Sequence, residues 1–228
     1  MKEKTIIKGF VKAVIRNTET GKTRLVFTDN LDKQQAEEVL KAKGFKSNLT
    51  PNAYFDDLKT EHLSGGSLEI DFTLISTEYD PPTKTSALPA SFATVAPDSI
   101  TDNGDRLTIV TTFPAGTGTT NDTTIAVATS STIFDVASAT GLVIDDRIEI
   151  VGDSGATKQQ RKIAGLSGVT VTLDKAVTFT TAISDPVNQK ISTAHLLYNT
   201  TEPLSSAALV TSKTSIDELI ITHEIFFI

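Results

Sequence analysis

The chain of 228 residues contains no cysteine, no tryptophan, one methionine and three histidines. The lack of cysteine removes disulfides, thiolate nucleophiles and thiolate-held metals together. His62, His195 and His223 are far apart in sequence, so an all-histidine metal site is not expected. Aromatic residues make up only 6% of the chain. That is thin material for a sugar-stacking platform, which needs exposed rings. There is no basic excess either: the formal net charge is −7, and a general nucleic-acid binder needs a cationic face to displace counterions. No apolar run is long enough to span a bilayer, and the C-terminal one is broken by Asp217, Glu218, His223 and Glu224. Met1-Lys2-Glu3-Lys4 opens the chain without an apolar signal region, so the expectation is synthesis in the cytoplasm without secretion. Neither nucleic acid nor membrane is expected as a partner.

The remaining composition is that of a folded chain, with 39% hydrophobic and 21% charged residues. Threonine recurs inside the apolar runs, which favours strands over helices. Residues 5–28 read as a hairpin. Ile7, Val11, Ala13 and Ile15 share a face, Thr20-Gly21 supplies the turn, and Thr23, Leu25 and Phe27 alternate on the return. Residues 31–43 carry the one helical pattern, capped by Asn30 or Asp32 and closed at Gly44. After an irregular stretch, Leu68, Ile70, Phe72 and Leu74 alternate with polar residues until Pro81-Pro82. A second hairpin is expected over 91–113, turning at Asn103-Gly104, with Leu107, Ile109, Thr111 and Phe113 on one face.

Pro114–Asp122 is polar and rich in Gly and Thr, and reads as a linker. Beyond it lie short strands at 124–128, 147–151, 162–166 and 169–173, punctuated by glycine turns, the pattern of a small barrel that ends at Pro186. Strands at 195–198, 207–210 and 219–228 follow, the last ending on Ile225-Phe226-Phe227-Ile228. Such an ending must be buried in its own sheet or in a neighbouring subunit.

Three stretches resemble a family of tailed-bacteriophage virion proteins. They are the hairpin Ile7–Leu31, the segment Arg106–Gly118 (RLTIVTTFPAGTG), and Ile191–Ile228 with its AHLLYN, SSAALV and SKTSIDEL segments. Within residues 123–183, VASATGLVIDDRIEI and IAGLSGVTVTLDKAV resemble a small β module found in many phage particle proteins. Between residues 44 and 90 the chain departs from the family pattern, lacking its Gly-Thr repeat loop. With the two linkers, the resemblance implies an all-β fold with one short helix: a discontinuous β-sandwich-like domain from 1–121 and 187–228, and an inserted small β-barrel from 122–186. It further implies a non-catalytic virion component whose partners are copies of itself and other phage structural proteins. The neck, collar, tail or baseplate is one position, and a capsid decoration or head fibre is another.

A search for chemistry yields no catalytic, cofactor-binding or metal-ligating assignment. The acid pairs Asp56 with Asp57, Glu69 with Asp71, and Asp145 with Asp146 have no companion base pattern, so they read as solvated acids. Asp98, Asp102, Asn103 and Asp105 offer the oxygen ligands a Ca²⁺ ion takes, but the spacing fits no EF-hand, and Asp and Asn are common turn residues. His195 and His223 lie in strands, and His223 shares a face with Leu219, Ile221, Ile225 and Phe227, a packing position. The stretch 116–120 lacks the lysine of a phosphate loop. Sequons at Asn48, Asn121 and Asn199 carry no weight without a secretory signal. Host-glycan adhesion is the rival reading, with Tyr54, Phe55 and Tyr79 as its loop aromatics.

Overall fold

The computed structural model describes residues 7–30, 68–71, 93–103, 106–198 and 202–227. All of its long elements are strands. β1 (Ile7–Asn17) and β2 (Thr23–Asn30) form the first hairpin, turning at Gly21, whose φ of 67° suits a residue without a Cβ. β3 (Leu68–Asp71), β4 (Ala93–Val95), β5 (Ser99–Asp102) and β6 (Arg106–Phe113) follow. Next come β7 (Asp122–Ala128), β8 (Ile133–Val136), β9 (Arg147–Gly152), β10 (Thr157–Ser167) and β11 (Thr170–Leu173). β12 (Pro186–Tyr198), β13 (Glu202–Thr211) and β14 (Asp217–Phe227) complete the chain. The only helical turn among the described residues is a 3-10 turn at Asp153–Gly155. The helix expected at 31–43 lies outside them, as do Phe72 and Leu74.

The strands make an all-β, discontinuous two-sheet fold. One sheet has the order β2-β1-β14-β6-β5, with β14 antiparallel to both β1 and β6. The other runs β4-β3-β12-β7-β8-β11-β10-β9, with β13 also on β12. This second sheet closes on itself. The first residues of β12 pair with β7 on one side and β9 on the other, so β7, β8, β11, β10, β9 and β12 form a six-stranded barrel. Closure removes the free edges that short strands would otherwise expose.

Period-two alternation places the cores. Val11, Ala13 and Ile15 of β1, Leu107, Ile109 and Phe113 of β6, and Leu219, Ile221 and Ile225 of β14 are buried together with Ile191, Ala194, Leu196, Ala207 and Leu209 of β12 and β13. A second, separate core fills the barrel around Phe134, Ile148, Ile150, Ile163 and Val171. β12 runs through both. Its residues Val187, Gln189 and Ile191 stand at alternate positions and are all fully buried, Val187 in the barrel core and Ile191 in the other.

Several elements differ from the reading of the sequence. In β2 a register shift pairs Ala13 with Phe27 but Val14 with Leu25, which leaves Leu25 61% exposed and lets Val26 pack on the core. β4 joins the sheet of β3 and not that of β5. β8 is an additional strand, short enough for its pattern to be lost between turns. Val169 lies in the turn before β11 and is exposed, whereas Val171 and Leu173 are buried as the alternation predicts. Pro186 opens β12, and that strand supplies one wall of the barrel before entering the other sheet.

Candidate functional site at the junction of the two cores

Where a strand leaves one apolar core and enters another, its side chains meet the ends of both. Gln189 occupies that point on β12. Its Oε1 accepts from the Asn121 backbone N–H at 2.9 Å and from Asn121 Nδ2 at 3.1 Å. Its Nε2 donates to the Gly141 carbonyl at 3.1 Å and to Asp146 Oδ2 at 2.7 Å. A buried primary amide is stable only with such partners, because each bond to water it gave up must be replaced. The Gln189 backbone N–H adds a bond to the Asn121 carbonyl at 2.9 Å. One side chain thereby ties β12 to the start of β7 and to the loop before β9.

A second tie involves Lys213, in the connection between β13 and β14. It continues the inward alternation of Ala207, Leu209 and Thr211, and is fully buried. Its Nζ donates to the Pro114 carbonyl at 2.8 Å and to the Thr117 carbonyl at 2.7 Å. Its backbone N–H donates to Thr120 Oγ1, and its carbonyl accepts from the Thr120 backbone N–H. Burial pulls the amine below its ordinary range, and the charges of Asp217 and Glu218 act against that pull. Asp217 closes the same turn, accepting from the Thr214 amide at 3.0 Å and the Thr214 hydroxyl at 2.6 Å. Burial alone would raise its carboxyl. The Thr214 and Asn17 hydrogen bonds and the charge of Arg24 outweigh burial and hold it below the usual range.

Asp146 is the buried carboxylate of this junction, 1% exposed. Burial pushes it up to about 6, opposed by its bonds to the Val143 N–H and Gln189 and reinforced by the charge of Asp145. The folded state therefore keeps a proton between pH 3.8 and about 6 that the unfolded chain has released. Stability from this group rises as pH falls through that window, and the full cost of the buried charge is present above it. Because one oxygen accepts both bonds, an asparagine carbonyl can replace it. Asp146→Asn is expected to stabilise the fold by roughly 1–2 kcal/mol near neutral pH, with the gain vanishing near pH 4. Urea denaturation at a series of pH values checks this, and a gain independent of pH refutes the assignment.

The residues singled out in the sequence are scattered. Asp145 and Asp146 diverge: Asp145 is exposed, with φ 77°, and pairs with Lys162 at 2.8 Å, while Asp146 is buried. Asp98 and Asn103 are exposed, Asp102 is half-buried in β5, and Asp105 lies outside the described residues. Among the described residues no group of three or more His, Asp or Glu is placed to hold a metal. Glu69 lies in β3, opposite His195 of β12 in register, and Asp71 ends β3. Tyr54, Phe55, Asp56, Asp57 and Tyr79 lie outside the described residues, as do Asn48 and Asn199. Asn121 serves the junction. His223 is fully buried in β14, and among the described residues neither ring nitrogen has a hydrogen-bond partner.

Gln189 and Lys213 were not singled out from the sequence. The signal that would have found them is a polar residue in phase with an apolar alternation, as in Val187-x-Gln189-x-Ile191 and Leu209-x-Thr211-x-Lys213. Chemically, the junction has its polar groups committed to the fold, and what it achieves is the fixing of chain segments. No family model, curated protein or solved structure matches the chain.

Proposed function

We propose that the chain is a non-catalytic structural component of a tailed-phage particle, acting in multiple symmetric copies at the neck, collar, tail or baseplate. In this reading the strands that share the first core are a sandwich-like body from 1–121 and 187–228, and 122–186 is an inserted barrel presented to a neighbour. One observation carries it. Two of the three stretches that resemble the virion family, PAGTG and SKTSIDEL, meet in space through Lys213 and build the tie between the cores. A rigid joint suits a part that must hold its shape while many modest interfaces add up around a symmetry axis. The protein would be made in the host cytoplasm and end in the virion.

The test is the absolute mass of the purified protein by light scattering on a sizing column. A hexamer or dodecamer is expected. A trimer or pentamer would move the assignment to a capsid decoration or head fibre. Saturable binding on a glycan array, lost in Tyr54→Ala or Tyr79→Ala, would replace it with host-glycan adhesion.

A further inference from the structure

We propose that His223 is an acid-sensitive latch: its protonation separates the five-stranded sheet from the strands packed on it, while the barrel stays closed. The argument starts from position. β14 is the central strand of its sheet, paired along its length with β1 and β6. His223 stands opposite Val11 and Ile109, fully buried, on the face turned to the first core.

Among the described residues, no group that meets His223 is suited to receive a positive charge. Thr111, two residues along β6 from Ile109, has a buried hydroxyl without a partner among the described residues. The other core side chains described on β1, β6, β12 and β13 are aliphatic or aromatic, apart from Thr211 at the end of β13. On β5, the half-buried Asp102 stands opposite Leu107, one strand further from His223 and two residues along from Ile100, the residue opposite Ile109. On β1, β6 and β14, Lys12, Arg16, Arg106, Glu218 and Glu224 alternate to the opposite face, where Arg16 pairs with Glu218 and Arg106 with Glu224. The buried charges Lys213 and Asp217 lie at the far end of β14. Burial is accordingly the cause that holds the imidazole down at about 3.

A protonated ring in this place needs water. It cannot reach water by sliding, because a one-residue slip of β14 would turn its whole apolar set outward. Parting the two faces of the core exposes the ring and leaves the ladders of β14 intact. The barrel has its own core and contains no histidine. Its buried Asp146, with Asp145 beside it, loses its burial cost on acidification. Acid thus loosens one core and relieves the other.

Hydrogen exchange of the full chain, corrected for intrinsic rates and followed from about pH 7 to about pH 4.5, tests this. Opening of the segments containing β1, β6 and β14 should rise up to about tenfold per pH unit below about 6.5, the response to one proton taken up on opening. Segments from β7 to β11 should show no such rise and should open less below about pH 6, as Asp146 takes up its proton. His223→Leu should abolish the response, and so should His223→Gln, which keeps a polar side chain without a titrating ring and covers the case that leucine alters packing. His195→Asn should leave it unchanged. A flat wild-type profile, parallel opening of the barrel, or an acid response that survives in either His223 variant would overturn the proposal.

Discussion

Lys213→Ala is expected to destabilise the protein by about 3 kcal/mol. Two contributions add. Truncation leaves a void where a fully buried four-carbon stem packed. It also removes the side-chain donor that the Pro114 and Thr117 carbonyls share, and hydrogen bonds from a charged group contribute roughly 1.5–3 kcal/mol. Lys213→Met separates the two, since it restores most of the volume and none of the donors. It should fall between the wild type and the alanine variant. The alkaline limb gives an independent check. The amine's folded pKa is lowered, so between that value and 10.5 the unfolded chain holds a proton the folded chain lacks, and stability rises with pH there. Both variants should lose that rise. Chemical denaturation at neutral and alkaline pH measures all of this, and an alanine variant as stable as the wild type would refute the tie.

Gly152→Ala is expected to cost about 2–3 kcal/mol, although nothing in the backbone demands glycine there. Gly152 has φ −114° and ψ −173°, extended values that any residue adopts. The obstacle is the space beside it. A Cβ would stand 2.2 Å from Phe179 Cδ2 and 2.3 Å from Cε2, so the ring must leave. Phe179 belongs to the barrel core, and the segment leading into it is pinned. The Ala176 carbonyl accepts from Arg161 at 2.8 Å, and the Thr178 N–H donates to Gln159 Oε1 at 3.1 Å. The ring cannot retreat along the chain, so overpacking converts into exposed aromatic surface. A double-mutant cycle with Phe179→Ala is the test. With the ring gone the added methyl should be tolerated, giving a coupling above ~1 kcal/mol. Additive effects would show that the cost comes from elsewhere.

The sequence by itself determined the strand character of this protein and much of which side chains face inward. The alternation Leu107-x-Ile109-x-Thr111-x-Phe113 predicts a face that is entirely buried, and Leu219, Ile221, His223 and Ile225 behave likewise. These are local consequences of a period of two, so they can be read without knowing any neighbour. The tertiary structure alone decided the pairings. β14 comes to lie between β1 and β6, β4 leaves its neighbour β5 for the sheet of β3, and β12 closes a barrel before entering a second core. The junction belongs to the same class. Gln189 and Lys213 look like interruptions of apolar strands until Asn121, Gly141 and Asp146, or Pro114 and Thr117, arrive from distant parts of the chain. A buried polar group is stable only through partners, and the identity of those partners is a property of topology and not of local pattern.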